Sequence, residues 1–394
     1  MRFEPATISR VRIALVAPLV TPISDRETPI GGAQAFVVDL ARGLLQAGHQ
    51  VTLLAADGSH IDGVDVPVLG IDSRRLTPAR FDRASVARVR SDLEEQTQAF
   101  ATARAWLDAA GPTIDVAHAH AYDAPAFRQL ARAPQPVCHT LHLPPLDPAV
   151  TEAARAAATD TLRPARLATV SEATADAWAA AGLPRPAVIP NGIDVESVPF
   201  RAGAGRYLLF AGRIAPEKGP DRAIQVARGM GLPLVLVGGI YDAAFAERDV
   251  LSQSRTVLDW QPGALLDPGA TYIGPRPRQE LFRLMAGAAA LLMPVRWPEP
   301  FGLVAIEAQA AGCPVVAYNL GGLGEVISDG RTGMVVAPHD TAAFMQAVHR
   351  ALILDRHACR AWAVERFSRA AMAAAYARLY RRAIQQAGAP SGPR

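Results

Sequence analysis

The chain has 394 residues, 50% of them hydrophobic and 20% charged, which excludes wholesale disorder and suggests two or three domains. The formal net charge of +3 is too near balance for a nucleic-acid binder that draws its affinity from phosphate neutralisation. Three cysteines, Cys138, Cys313 and Cys359, lie far apart without a CxxC pair, so a disulfide framework is excluded and a reducing, cytoplasmic setting is expected.

No apolar run reaches the about 18 residues that cross a bilayer. The early run Val11–Val20 leads into a Gly-rich loop and an amphipathic segment, so it is a buried first strand rather than a signal-peptide core. Thr21–Gly32 is a loop. Ala33–Ala47 places Phe36, Val37, Leu40, Leu44 and Leu45 at helical spacing, and Gly48 ends that helix. Gln50–Ala55 is the next strand, completing a βαβ unit with a parallel crossover. Strands follow at Asp115–Ala119, Val137–Leu141 and Arg166–Val170. Ser171 and Glu172 then open a helix through Ala180, and Val188-Ile-Pro-Asn-Gly192 is a strand ending in a turn.

Pro199–Gly205 lacks periodicity, and the domain boundary is expected there. A second alternating set follows. Its strands are Tyr207–Ala211, Leu234–Val237, Ala270–Ile273, Ala290–Pro294, Val315–Ala317 and Gly333–Val336. Its helices are Pro220–Gly229, Gln279–Ala286 and Gly302–Gly312, with Asp340–Leu354 and Ser368–Gln386 closing the chain before a polar Gly/Pro tail from Ala387. The pattern is α/β: two doubly wound Rossmann-like domains facing across a cleft. Such sheets bind ligands beyond the carboxyl ends of their strands, where the winding reverses.

Of the 40 lysine and arginine residues, Lys218 is the only lysine. A GC-rich coding bias explains the arginines, and leaves open why this position kept lysine. It lies in YLLFAGRIAPEKGP, Tyr207–Pro220, where a strand ends and Arg213 and Lys218 occupy the loop before a helix. Two cations beside a helix N-terminus suit a polyanion: arginine offers a planar fork and lysine a compact point charge. A solvated surface loop is the plainer alternative.

In Trp297-Pro-Glu-Pro-Phe-Gly-Leu-Val-Ala-Ile-Glu307, Glu299 precedes a helix whose first amides, about Gly302 to Val304, point outward. A carboxylate at Glu299 can accept from sugar hydroxyls and one a turn or two into the helix, at Glu307, can clasp a ribose diol; simple compensation of the helix dipole is the equal alternative. The Gly-Gly of Pro29–Gln34 allows close backbone approach but does not fit GxGxxG. His118 and His120 sit on one strand with His142 after the next; His118 is read as core, and His120, nearer the strand tip, as functional. These histidines also raise a metal site, which no carboxylate pattern supports. The basic stretch Arg74–Arg90 is either a solvated face or a contact for an anionic acceptor or a membrane surface.

GRIAPEKG, the E-x7-E of EPFGLVAIE, IPNGID, GGLGEVISDGRTG and the early GGAQ resemble the large family of retaining, nucleotide-sugar-dependent glycosyltransferases of GT-B fold, group 1 or family four, over nearly the whole chain. The resemblance implies that Arg213 and Lys218 hold the donor diphosphate, Glu299 faces the donor sugar, and Gly302, Leu303 and Val304 contact sugar and phosphate. It implies a ribose role for Glu307, a base-side loop at Gly274, Pro275 and Arg276, a phosphate-side loop at Gly32, and a position near the donor sugar for His120. Gln34 stands where many members have glutamate, as in a subset that includes phosphatidylinositol mannosyltransferases; with His142 it is an acceptor-side candidate. Gly324 stands where proline is usual. The implied domains are 1–198 for the acceptor, 199–366 for the donor, and 367–394 as a helix crossing back to the first domain, with an apolar stripe of Ala371, Ala375, Tyr376, Leu379 and Tyr380.

The expected reaction is transfer of a sugar from a UDP- or GDP-linked donor to a hydroxyl acceptor, small or lipid-linked, with retention, no cofactor and no metal. No nucleic acid is expected as a partner. Peripheral contact at the inner face of the membrane and the oligomeric state stay open. The alternatives are a nucleotide-sugar epimerase or glycoside phosphorylase of the same fold, or a non-catalytic nucleotide-sugar binder. A double displacement through Glu299 is the mechanistic rival, and an NAD-dependent dehydrogenase would need the missing GxGxxG.

Overall fold

The computed structural model describes residues 10–25, 32–72, 86–260 and 268–388. The chain divides into two compact units. The first runs to Thr169, takes in Ala175–Ile189 and resumes at Ala370; the second comprises Val170–Thr174 and Pro190–Arg369.

The first unit alternates β1 (Arg12–Val16), α1 (Gly32–Gln46), β2 (Gln50–Leu54), α2 (Val86–Ala110), β3 (Val116–Ala119), α3 (Ala124–Leu130), β4 (Val137–Leu141), α4 (Pro148–Ala158), β5 (Arg166–Thr169), α5 (Glu172–Ala180) and β6 (Ala187–Val188). Its sheet is parallel throughout, in the order β2-β1-β3-β4-β5-β6. The continuous apolar run of β1 serves both faces of that sheet. Ile13 and Leu15 enter one core with Phe36, Leu40 and Leu44 of α1, while Ala14 and Val16 enter another with Phe100, Ala103 and Leu107 of α2. Two-sided burial is why the strand shows no polar alternation.

The second unit alternates β7 (Leu208–Ala211), α6 (Pro220–Met230), β8 (Pro233–Val237), the single turn α7 (Ala243–Phe245), β9 (Ser254–Thr256), β10 (Gly269–Tyr272), α8 (Arg278–Gly287), β11 (Ala290–Met293), α9 (Leu303–Ala310), β12 (Val315–Tyr318), α10 (Leu323–Val326), β13 (Gly333–Val336), α11 (Thr341–Ala351) and α12 (Arg356–Arg366). Its parallel sheet runs β13-β12-β11-β7-β8-β10-β9. Leu209 and Leu291 point into one core; Leu208, Phe210 and Leu292 point into the other.

α13 (Arg369–Gly388) closes the first unit's core with Met372, Ala373, Tyr376, Leu379, Tyr380 and Ala383. Ala371, expected in its apolar stripe, faces outward. Alanine fits either side of a helix, and the larger Met372 and Tyr376 set the rotation. The helix also continues through Ala387 and Gly388, where a tail was expected.

The chain passes between units at Pro190, ahead of the Pro/Gly-rich stretch at 199–205. Val195 and Val198 already lie in the second unit's core. Ile193 is pinned there by its amide on the Phe367 carbonyl (2.9 Å) and its own carbonyl on the Arg369 amide (2.8 Å). The first turn of α5 also belongs to the second unit. Both oxygens of Glu325 cap it, accepting from Glu172 N (2.7 Å) and Ala173 N (2.8 Å). Ser171 Oγ accepts from Thr174 N at 3.2 Å, as an N-cap should.

Among the described residues no helix is long and apolar enough to cross a membrane.

Candidate active site

In the second unit's sheet, β7 lies between β11 and β8, so the winding reverses at the β7/β11 edge. The two loops beyond that edge carry Arg213 and Lys218 (after β7) and Glu299 (after β11). The fold therefore delivers to one switch point side chains that lie 81 residues apart in sequence.

Lys218 Nζ donates to Glu299 Oε2 at 2.5 Å, and the side chains are 17% and 13% exposed. Trp297 Nε1 donates to the same oxygen at 2.8 Å, and its ring lies under the ammonium, 4.9 Å from Nζ to the centroid. The turn bearing Lys218, Pro216–Lys218, is bolted to the end of β11 by Arg296. Its amide donates to the Glu217 carbonyl (2.8 Å), its Nη1 to the Pro216 carbonyl (2.9 Å), and its Nη2 pairs with Asp221. Gly219 follows at φ 72°, and a Cβ there would run into the Pro294 carbonyl, so only glycine lets the turn sit this close.

Arg213 is likewise paired. Its Nη2 lies 3.0 Å from Glu217 Oε1, and its guanidinium stacks over Tyr241 at 5.2 Å. Sequence reasoning gave two cations for a polyanion; the structure gives each cation a carboxylate. The loop is locally near neutral, with Arg213 engaged by Glu217 and Lys218 by Glu299.

α9 begins at Leu303 with Gly302 as its N-cap at φ 91° and no side chain capping it. A Cβ on Gly302 would stand 2.7 Å from Leu323 Cδ2. The amides of Gly302, Leu303 and Val304 thus stay at an uncapped helix start beside Glu299. Glu307, one turn in, is buried and held by Arg278, whose Nε donates to Oε1 at 2.8 Å. Gly274, Pro275 and Arg276 follow β10, two strands from β7; Arg276 Nη2 donates to the Leu258 carbonyl at 2.8 Å, and its Nε lies 3.1 Å from Glu280.

The first unit reverses its winding between β1 and β3. Gly32 is the exposed first residue of α1, whose preceding Pro29–Gly31 lie outside the described residues. Gln34 Nε2 donates to Thr21 Oγ1 at 3.1 Å. His120 follows β3, 2% exposed, with Nδ1 at 3.2 Å from Nε2 of His142 after β4, while its own Nε2 is buried without a hydrogen-bond partner. Burial first, then His118, His142 and His139, push the His120 imidazole well below its ordinary value, so it is neutral at neutral pH.

His118 is a core residue, as read. Nδ1 meets Tyr380 Oη at 2.7 Å and Nε2 meets Thr140 Oγ1 at 2.8 Å, which leaves no nitrogen for an ion. Asp25, His60 and Asp62 bring metal-ligand atoms within 4.8 Å of one another; Arg42 lies 2.7 Å from Asp25, and His60 2.8 Å from Asp62. The basic stretch Arg74–Arg90 falls largely outside the described residues.

Sequence reasoning missed Trp297, Arg296, Glu217 and Tyr241 as parts of the Lys218 and Arg213 surroundings. The Arg-Trp pair two residues before Glu299 was the available signal: an arginine and an aromatic beside a lone acid at a strand end.

Two parallel α/β units, with their motif loops at the switch points, have the GT-B fold. The family model for glycosyl transferases group 1 matches residues 199–365, and that for glycosyltransferase family 4 matches residues 30–197. The chain belongs to the group 1 glycosyltransferases. It is 28% identical over 387 residues to a D-inositol 3-phosphate glycosyltransferase of a Nocardioides species, covering 87% of this chain and 82% of the relative. Among solved structures it is similar to a glycosyltransferase involved in avilamycin A biosynthesis, 24% identical, with a TM-score of 0.68 over 96% of this chain and 99% of the other. It is also similar to the Anabaena HepE protein in complex with UDP and glucose, 19% identical, with a TM-score of 0.65 over 94% of this chain and 100% of the other.

Proposed function

We propose that this glycosyltransferase moves a hexose from a nucleoside-diphosphate sugar to a hydroxyl acceptor with retention at the anomeric carbon. The observation that carries the reading is the Lys218–Glu299–Trp297 group at the β7/β11 switch point, with Arg213 in the same loop. In this reading Lys218, Arg213 and the amides at the start of α9 receive the diphosphate and oppose the charge that develops as it leaves. Glu299 accepts from the donor sugar's hydroxyls. The leaving phosphate oxygen takes the acceptor proton as the acceptor oxygen attacks from the same face, so no metal is called for. Two donors already on Glu299 Oε2 favour its role as a hydroxyl acceptor over that of a nucleophile. Glu307 and the Gly274–Arg276 loop serve ribose and base. His120, buried and neutral with a spare nitrogen, serves the sugar; Gln34 and His142 serve the acceptor.

UDP-glucose is the first donor to try, because a solved neighbour holds UDP and glucose, and D-inositol 3-phosphate is the first acceptor, because the Nocardioides relative is named for it. The test is a thermal-shift panel of UDP, GDP and ADP on wild type and Lys218→Ala, followed by transfer with and without EDTA and NMR assignment of the product anomer. A nucleotide at 100 times its Kd adds about 2.7 kcal/mol of stability. Stabilisation by one diphosphate that is lost in the variant, with EDTA-resistant transfer and retained configuration, is expected. No shift with any diphosphate, or an inverted product, refutes the reading.

A further inference from the structure

We propose that Trp297 is a positioning residue for sugar transfer, acting through Lys218 and Glu299 by fixing which oxygen of the Glu299 carboxylate meets the donor sugar. The proposal rests on the donor reading above. One side chain touches both members of the ion pair: the indole N–H donates to Glu299 Oε2 at 2.8 Å, and the ring face supports the Lys218 ammonium at 4.9 Å. Lys218 itself donates to the same Oε2 at 2.5 Å. Neither contact uses Oε1. With Oε2 held from two directions the carboxylate does not rotate freely, and Oε1 is the oxygen presented to a sugar hydroxyl.

The ring is itself fixed. Trp297 packs half-buried against the second unit's core, the preceding Arg296 ties its backbone to the Lys218 turn, and the Glu299 carbonyl receives the Gly322 amide at 2.7 Å. Tryptophan is the one residue type with both a wide π face and an edge N–H donor. When the diphosphate draws on Lys218, the indole still holds Oε2. Without the N–H, Glu299 loses its register as the lysine engages phosphate, and the hydroxyl pattern of the sugar is read less sharply.

Three variants separate the two contacts: Trp297→Phe keeps the face and loses the N–H, Trp297→His keeps a donor on a smaller ring, and Trp297→Leu loses both. Lys218 is the only lysine, so [13C]lysine labelling yields one ε-methylene signal, reporting on one side chain. That signal is expected to be shifted upfield by the indole ring current in wild type, to stay shifted in Trp297→Phe, and to return to the random-coil position in Trp297→Leu. Turnover is then measured with UDP-glucose and its 4-epimer UDP-galactose. Trp297→Phe is expected to lower kcat about tenfold with KM nearly unchanged and to narrow the preference between the epimers, and Trp297→His to recover part of both. A lysine signal in Trp297→Leu identical to wild type, or wild-type kcat and epimer preference in Trp297→Phe, overturns the proposal. Failure of this proposal alone leaves the shift of the lysine signal by UDP, GDP or ADP intact in wild type. If none of the three moves it, the donor reading fails and takes this proposal with it.

Discussion

At the scale of single residues, the proposed chemistry turns on Lys218. It is the lone lysine in a chain that otherwise uses arginine, and its ammonium sits in a pocket floored by an indole and faced by a carboxylate. A guanidinium is planar and wider, and does not fit that point-charge geometry. Lys218→Ala is expected to lower transfer by about 10²–10³ while the melting temperature without nucleotide stays close to wild type. Lys218→Arg keeps the charge and is expected to fall well short of wild type; equal turnover in the two proteins, measured side by side, contradicts the fit.

A second residue-scale prediction concerns pH. His118, His120 and His139 are 0%, 2% and 1% exposed, and burial lowers all three, His139 to about 3. Their folded pKa values lie below the unfolded value, so the neutral form is the folded form's partner. The stability they permit is full above the unfolded histidine pKa of about 6.5 and is lost as pH falls below it, each contributing a slope of about 1.4 kcal/mol per pH unit. His139 stacks on Phe127 with both ring nitrogens unpartnered, so it is the clearest case. His139→Phe is expected to make the urea-unfolding free energy fall less steeply between pH 6 and pH 4. An unchanged slope would mean that His139 does not stay neutral in the fold.

At the scale of elements, α13 is tied to β3 and β4 by more than apolar contact. Tyr380 Oη meets His118 Nδ1 at 2.7 Å, and Tyr376 Oη meets Thr140 Oγ1 at 3.0 Å, all of them buried. Tyr380→Phe leaves a buried imidazole nitrogen unpaired and is expected to cost about 1–3 kcal/mol, read from denaturant unfolding. A cost near zero would show that His118 finds another partner.

Legibility in the sequence follows the same physics. Strands such as β1, β7 and β11 were plain because two-sided burial writes them as unbroken apolar runs. Helices with a strong stripe, such as α1 and α6, were equally plain. α12 was not read: RHACRAWAVER is dense in arginine, yet Arg356 is buried, with its guanidinium donating to the carbonyls of Arg201, Ala286 and Ala288. A guanidinium serving as a backbone cap looks in sequence like a solvated charge. α2 was missed because alanine and scattered charge give it weak periodicity, α3 because seven residues are too few to show a period, and α4 because its buried stripe is written mostly in alanine, at Ala153, Ala154 and Ala157 beside Val150. At the site, the residue types and the loops were legible because motif spacing marks strand ends. The pairing of Arg213 with Glu217, Lys218 with Glu299 and Glu307 with Arg278 was not, because it depends on side-chain directions: within one irregular loop for the first, between loops after β7 and β11 for the second, and between α8 and α9 for the third.

At the scale of the whole molecule, the second unit is nearly continuous in sequence, whereas the first is assembled from three separated segments. A chain ending at Arg369 is therefore expected to lose first-unit stability while its second unit keeps the donor loops. Its nucleoside-diphosphate binding, measured by calorimetry, should persist when its first-unit melting transition is lowered or lost. Loss of nucleotide binding in that truncated chain would show that the second unit does not hold its donor loops unaided.

The placement of α13 also sets a schedule. During synthesis the six strands of the first unit emerge early, but Met372, Tyr376 and Tyr380 emerge only after every strand of the second unit has been made. Until then the α1 side of the first sheet lacks part of its cover, and His118 lacks its phenol. Of the two units, the one whose strands emerge first is thus completed last, and the second unit is the first to mature.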